Sequence, residues 1–423
     1  MNSSYRTRGL RRYLAGAAAA RAGDEMSGPA LLLLGFAVTG RPETGSGLLA
    51  ALTIAGATGG PLFGALLDRS RRPDRLLACT LAGYALGIVA VQAAAGRLPM
   101  PALAAIALLA GLFNPAVTGG WTAQLPRVVT GPELDRGSAL DALTFSAASL
   151  AGPALAAVTA AGLGARAAVL TAAALVALAV PAACSLSRYR PDPAGGAEPG
   201  GDGAAPRPTT LRRQMAAGFA AIVARRPLLR ATVTSAVSYA GIGMLLVCCP
   251  VLGAERLGGA ARGALLISAM AVASLAANAV LARRSGPPLR RHPDIWVLAS
   301  TLVIGVSMAA AALAPGWLTL AAVALGGAGE GPQLTALLAV RHRETPANLR
   351  GQVFTTAASL KIAGLAAGAA LGGPLAGWSV TGCLLIAAGI ELGAAAAYLM
   401  AASGSCYTGV MQRILGANWR PAG

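Results

Sequence analysis

Apolar runs of roughly 20 residues recur along this chain with short polar breaks between them, the length an α-helix needs to cross the hydrocarbon core of a bilayer. Over 423 residues, 55% are hydrophobic and only 12% are charged, too few polar side chains to clothe a water-soluble surface of this size. Lipid is therefore the expected solvent, and membrane-spanning helices the expected structure.

Reading the apolar windows against their breaks places twelve spans at 14–38, 45–67, 76–96, 99–121, 139–162, 165–187, 229–252, 261–282, 294–314, 316–339, 353–377 and 379–402, hereafter spans 1 to 12. With span 1 starting in the cytoplasm, 27 arginines fall in segments predicted to be cytoplasmic. Only Arg41, Arg97, Arg166, Arg256 and Arg262 fall outside. This positive-inside bias supports the span count as well as the orientation, because losing one helix would invert every later loop. Both termini are expected in the cytoplasm of a cell whose plasma membrane holds the protein. Trp317 and Trp378 fall at outer boundaries and Trp296 at an inner one, where an indole can straddle lipid and water. Arg6, Arg8, Arg11 and Arg12 ahead of an apolar stretch resemble the start of a signal peptide. That stretch, however, is interrupted by Arg21, Asp24 and Glu25, runs on to about Val38 and is followed by many more spans.

The formal charge of +18 raises nucleic acid as a partner. Its distribution excludes that reading: the arginines sit in short clusters between apolar runs, and aromatic residues are only 4% of the chain. The six cysteines show no paired metal-ligand spacing and read as small core residues without a disulfide framework. No metal or cofactor is expected.

The longest break, about 188–228, contains "PDPAGGAEPGGDGAAPRPTT" and reads as a disordered cytoplasmic linker between an N-terminal six-helix bundle at 1–187 and a C-terminal one at 229–423. The halves are weakly similar to one another at a nearly constant offset. Gly47-Leu48-Leu49 aligns with Gly263-Ala264-Leu265 and Asp68 with Arg284, while Pro115 and Thr118 align with Pro332 and Thr335. Two parallel repeats place a substrate path between the halves.

Between spans 2 and 3, Gly64-Ala65-Leu66-Leu67-Asp68-Arg69-Ser70-Arg71-Arg72 resembles the G-x-x-x-D-R-x-G-R-R loop signature of the major facilitator superfamily, with Arg71 in place of the second glycine. "LPRVVTGPELDRGSALDALTFSAASLAGPALA" at 125–156 is similar to the branch of that superfamily that includes the enterobactin exporter and macrolide efflux proteins, with Asp141 where asparagine is frequent. The resemblance implies a fold of two pseudo-symmetric six-helix bundles in which spans 1, 4, 7 and 10 line a central cavity. It also implies that Asp68 contacts the start of span 11 near Arg350-Gly351 as a gate latch, with Gly64, Arg69 and Arg72 supporting it. A purely topogenic basic loop is the alternative. In the second half Arg284 replaces the aspartate. Gly152-Pro153 in span 5 resembles part of the glycine-proline motif of antiporters, and a generic kink is its alternative.

Charge inside a membrane is costly and points to function. Arg21, Asp24 and Glu25 lie in span 1, Glu330 in span 10, Lys361 in span 11 and Glu391 in span 12. Arg21 can pair with Asp24 three residues on or with Glu25 four residues on, leaving the other to titrate; a structural ion pair is the alternative. Glu330 is surrounded by Gly326, Gly327, Gly329, Gly331 and Pro332, which are expected to leave room for water or substrate. It is the leading candidate for a proton- or cation-binding group, and the alternative is a lock with Lys361. A carboxylate whose partner depends on conformation can also change its proton affinity as a transporter switches. Lys361 could instead attract an anionic substrate. Glu391, in a bracing helix, reads as a structural or oligomer contact. Asn114, Ser238 and Tyr239 are further polar candidates for the cavity wall.

The resulting expectation is a monomeric secondary transporter that exports small amphipathic molecules in exchange for protons by alternating access. An importer or uncoupled facilitator of a small metabolite is the runner-up. A membrane-embedded enzyme or lipid-handling protein is disfavoured: His292 and His342 fall in loops, and no nucleophile, metal or nucleotide constellation stands at a helix end. An ATP-driven pump would need a phosphate loop, and none is present in the sequence.

Overall fold

The computed structural model of the protein describes residues 3–40, 42–129, 133–186, 210–259, 262–283 and 293–403, and the regular structure among them is helical throughout. The twelve spans are Ser3–Thr39, Pro42–Arg69, Pro73–Ala94, Met100–Gly120, Glu133–Leu163, Ala165–Ser185, Arg226–Arg256, Gly263–Arg283, Pro293–Leu313, Leu318–Glu344, Arg350–Trp378 and Val380–Ser403. Ten are long and apolar enough to cross a membrane by length and composition alone. Spans 1 and 10 fall short of that measure. They are the two that carry Arg21, Asp24 and Glu25 or the glycine-flanked Glu330, yet at 37 and 27 residues they run about 55 and 40 Å, more than a bilayer requires. Arg21, Asp24 and Glu330 of these two spans are bonded by neighbouring helices.

Span 1 begins eleven residues earlier than the sequence suggests, because the basic N-terminal segment continues its helix. Span 10 runs five residues further, to Glu344, which draws His342 out of the expected loop and buries it beside Phe354 at a ring-centroid distance of 4.6 Å. Span 4 is irregular: Met100–Gly111 is α-helical, and Ala116–Gly120 forms a π-helical turn directly after Pro115.

Each set of six spans encloses its own apolar core, one built from residues between Tyr13 and Leu186 and another from residues between Ile242 and Ala388. Part of the expected linker is helical. Leu211–Ala224 is a helix, started by Thr210, whose hydroxyl accepts from the Arg213 N–H at 3.4 Å. Gly218 sits against the Gln352 side chain, and Gln352 Nε2 donates to the Met215 carbonyl at 2.8 Å, so this helix docks on the start of span 11. The proline- and glycine-rich stretch at 191–209, Arg284 and His292 lie outside the described residues.

Among the described residues, the hydrogen bonds that join the two halves lie between mid-depth and the end bearing the span 2–3 loop. Spans 2 and 11 are stitched by Thr355 Oγ1 donating to the Gly60 carbonyl at 2.7 Å, Ser359 Oγ donating to the Gly56 carbonyl at 2.8 Å, and the Gly60 N–H donating to Ser359 Oγ at 3.0 Å. Gly60 and Gly64 are required here, since span 2 lies flush against the span 11 backbone where a Cβ would collide. Spans 5 and 8 meet through Ser146, 2.9 Å from Ser274 Oγ and accepting from Asn278 Nδ2 at 2.9 Å. An apolar cluster of Ala123, Ala142, Leu338 and Phe354 draws on both halves.

Candidate functional site

Arg21 does not pair with either acid of its own helix. It forms a buried ion pair with Asp141 of span 5 at 2.9 Å, donates to the Asp141 carbonyl at 2.8 Å and to Thr122 Oγ1 at 2.9 Å, and also bonds Thr144. Tyr13 and Thr122 each donate to the Asp141 carboxylate at 2.9 Å. The reason is directional: long helical side chains lean toward the helix N-terminus, so an arginine three or four residues ahead of its acids points away from them. Asp141, absent from the charges singled out above, is the group that fixes Arg21. Its signal in the sequence was an acid inside span 5 with arginine as the only intramembrane cation in the same half.

Asp24 is free of Arg21 and instead accepts from Tyr84 Oη at 2.6 Å and Asn114 Nδ2 at 2.5 Å. Asn114 reaches it because it stands at the irregular point of span 4. Glu25 projects in another direction, consistent with successive helical residues diverging by about 100°. It lies deep in the bundle, is accessible to solvent, and among the described residues has no hydrogen bond or ion pair. Gly152 of span 5 abuts it, and a Cβ at that position would fall 2.6 Å from the Glu25 Cβ. The glycine of the Gly152-Pro153 pair thus lets span 5 pack on span 1 beside the exposed carboxylate, while Pro153 remains within a continuous helix.

In the second half, Tyr239 of span 7 donates to Glu330 Oε1 at 3.0 Å. Lys361 does not ion-pair with Glu330. Its Nζ lies over the Tyr239 ring, 4.0 Å from the centroid, and 5.6 Å from that of Phe145 in span 5. Phe145 also meets Arg21, whose guanidinium carbon is 3.5 Å from the ring centroid. Glu25 and Glu330, one from each half, both lie within electrostatic reach of Lys361.

The glycines around Glu330 do not open space beside it. Gly327 and Gly331 face the backbone of span 8 at Met270 and Ser274, while Gly326 and Gly329 face span 9 at Ser307 and Ser300. They allow close helix packing of spans 8 and 9 on the two flanks of the carboxylate, and Pro332 sits within an unbroken helix. Glu391 is not an oligomer contact. It is fully buried inside its own half, Oε1 accepts from Ser238 Oγ at 2.8 Å, and Ser238 also meets Gln333.

At the joined end, Asp68 accepts from the Gly351 N–H at 2.7 Å and the Gln352 N–H at 2.8 Å, the first turn of span 11. These are free helix N-terminal donors at the positive end of the dipole, well suited to a carboxylate. Arg69 and Arg72 are exposed, and the cations acting on Asp68 are Arg127 and Arg350 instead. Among the described residues, no group of three or more His, Cys, Asp or Glu side chains is arranged to hold a metal ion.

Two six-span halves, joined toward one end and bringing charged side chains together at a deep waist, define a membrane transporter of the secondary-transporter kind. The family profile of the Major Facilitator Superfamily matches residues 13–359, and the chain belongs to that superfamily. An uncharacterized MFS-type transporter, y4rN, of Sinorhizobium fredii (strain NBRC 101917 / NGR234) is 28% identical over 384 residues, covering 90% of this chain and 91% of that protein. Similar folds occur in a bacterial homologue of the iron transporter ferroportin in its outward-facing state (TM-score 0.71, 15% identity, 94% of this chain and 100% of that one). They occur also in the human organic anion transporter MFSD10 (TETRAN) (0.70, 16%, 94% and 100%) and in a variant of the E. coli fucose:proton symporter FucP (0.70, 13%, 93% and 98%).

Proposed function

We propose that the protein is a proton-coupled exporter of small amphipathic molecules, such as drugs, antibiotics or natural products, working by alternating access of its two halves in the plasma membrane as a monomer. The observation that carries this reading is the pair of acids, Glu25 and Glu330, contributed by opposite halves and within electrostatic reach of a single lysine, Lys361, whose Nζ lies over the ring of Tyr239, the donor to Glu330. When the halves move, Lys361 travels with the second and Glu25 with the first, so the balance of charge around each carboxylate changes with conformation. That is the physical requirement for proton binding to be coupled to switching.

Arginine bias makes the joined end cytoplasmic, with both termini on that side. The arrangement is then cytoplasm-closed, with Asp68 as the latch, Gly64 as the point of close approach and the linker helix Leu211–Ala224 bracing Gln352. Glu330 is the coupling carboxylate, with Asp24 and Glu25 as the acids of the other half and Gly152-Pro153 shaping the path beside Glu25. The resemblance of 125–156 to the enterobactin and macrolide exporters supports outward transport.

Direction is tested in everted membrane vesicles. An imposed inside-acid pH gradient should drive accumulation of a lipophilic dye or antibiotic from a screening panel, and collapse of the gradient should release it. Gradient-driven uptake in right-side-out vesicles but not in everted ones would overturn export in favour of a proton-coupled importer.

A further inference from the structure

At mid-depth, where buried side chains would be expected, solvent reaches residues of five different helices. Glu25 of span 1 is exposed, and Phe145 of span 5, Tyr239 of span 7, Glu330 of span 10 and Lys361 of span 11 are half-buried. Contacts tie them together across the two halves. Lys361 Nζ lies 4.0 Å from the centroid of the Tyr239 ring and 5.6 Å from that of Phe145, and the Tyr239 hydroxyl donates to Glu330 at 3.0 Å. Glu25 stands one helical turn beyond Arg21, which packs on the Phe145 ring. Gly152, which abuts Glu25, is about two turns beyond Phe145 on the same face of span 5. Arg21 and Asp141, by contrast, are buried and paired with each other.

Ring faces hold the lysine head in this wet gap. Among the described residues Lys361 has no hydrogen bond or ion pair, and an ammonium over an aromatic face is attracted by the negative ring surface, more strongly when partly removed from water. The charges nearby do not balance. With Arg21 and Asp141 cancelling, ionised Glu25 and Glu330 supply two negative charges against the one positive charge of Lys361, even before Asp24 is counted. Two carboxylates and two ring faces make a setting for a weakly hydrated positive charge carried on apolar groups.

We infer that the Lys361 ammonium is the tethered occupant of a cation site, and that the transported molecule is an organic cation, a charged nitrogen or similar centre on an apolar body, whose charged group displaces Lys361 from between Phe145 and Tyr239. The space it needs is the space the lysine head already fills, and the flexible four-carbon stem lets that head withdraw. The inference rests on the transport reading above and narrows its substrates to cations. Exchange then conserves charge, since protons leaving Glu25 or Glu330 make way for the entering cation.

The test uses the purified full-length protein in detergent. Tetraphenylphosphonium and tetraphenylborate, of the same shape and opposite charge, are each titrated at constant ionic strength, with saturable binding measured by equilibrium dialysis against protein-free micelles. The wild type should bind the phosphonium and not the borate. Lys361→Ala, which removes the competing ammonium, should tighten phosphonium binding roughly tenfold, and Glu25→Gln and Phe145→Leu should each weaken it roughly tenfold. Thermal unfolding gives a second readout: n-propylammonium, which restores the atoms deleted in Lys361→Ala, should raise the Tm of that variant by about 3 °C at saturation and leave the wild type unchanged. Saturable binding of the borate in place of the phosphonium, phosphonium affinity unchanged in all three variants, or no propylammonium response in Lys361→Ala overturns the site. Phosphonium binding that changes as expected, with no pH-driven accumulation of any compound in everted vesicles, would overturn the exporter reading and leave the cation site standing. Accumulation of uncharged compounds without phosphonium binding would do the reverse.

Discussion

Replacing Asp68 with alanine should open the joined end of the molecule. Its carboxylate accepts two backbone N–H bonds, at 2.7 and 2.8 Å, and it is the side-chain bridge between span 2 and the first turn of span 11. A hydrogen bond to a charged group contributes about 1.5–3 kcal/mol net, but Asp68 is only partly buried, and both freed N–H groups can turn to water. Roughly 2 kcal/mol is then the expected bias of the pair toward the closed state, about 30-fold in the closed-to-open ratio. A reporter cysteine at Ala142, buried in the apolar cluster between the halves, reads that ratio as a maleimide labelling rate once the native cysteines are replaced. The rate should rise about 30-fold in Asp68→Ala, with Asp68→Asn intermediate because its one amide oxygen still accepts. A rate within twofold of wild type in Asp68→Ala would show that the bridge contributes nothing to closure.

Three further outcomes follow from the geometry. Arg21→Leu should destabilise the protein by about 3–5 kcal/mol by leaving Asp141 buried and unpaired, and Arg21→Leu with Asp141→Leu should recover much of the loss; Tm values in detergent for the two single variants and the double compare them. If the single variant melts with wild type, the pair is not structural. Gly152→Leu should cost about 1–3 kcal/mol by forcing spans 1 and 5 apart at Glu25, seen as a lowered Tm, whereas Gly162→Leu, which meets nothing within 4 Å, should leave Tm unchanged. Gly64→Val should prevent close approach of spans 2 and 11 and raise labelling at the Ala142→Cys reporter even with Asp68 intact; unchanged labelling would show that the helices can separate there without opening the end.

The twelve spans were legible because lipid demands long apolar helices, and arginine placement checks their number independently. Helix ends were not: Arg341 and His342 read as loop residues because a charged or polar residue next to a loop looks topogenic, and only the packing of Phe354 shows that the helix continues. Periodicity brought Arg21 near Asp24 and Glu25, but spacing carries no direction, and the backward lean of the side chain gave the arginine to Asp141. The glycines around Glu330 show the same ambiguity, since a residue without a side chain makes room equally for a ligand or for another helix; here it is helices at Met270, Ser274, Ser300 and Ser307 that fill the space. Which acid meets which donor across the bundle, as Tyr239 meets Glu330 or Asn114 meets Asp24, depends on helix rotation, which alanine-rich spans do not display in their sequence.

The central claim, proton coupling through Glu330, is tested most directly by dissipation of an imposed pH gradient in proteoliposomes holding purified wild type or Glu330→Gln, with each compound of a dye and antibiotic panel. Substrate-dependent proton movement in the wild type that is lost in Glu330→Gln, with substrate exchange at zero gradient preserved, is the predicted result. Proton movement that survives the substitution unchanged would contradict the assignment and move the coupling to Asp24 or Glu25 in the first half.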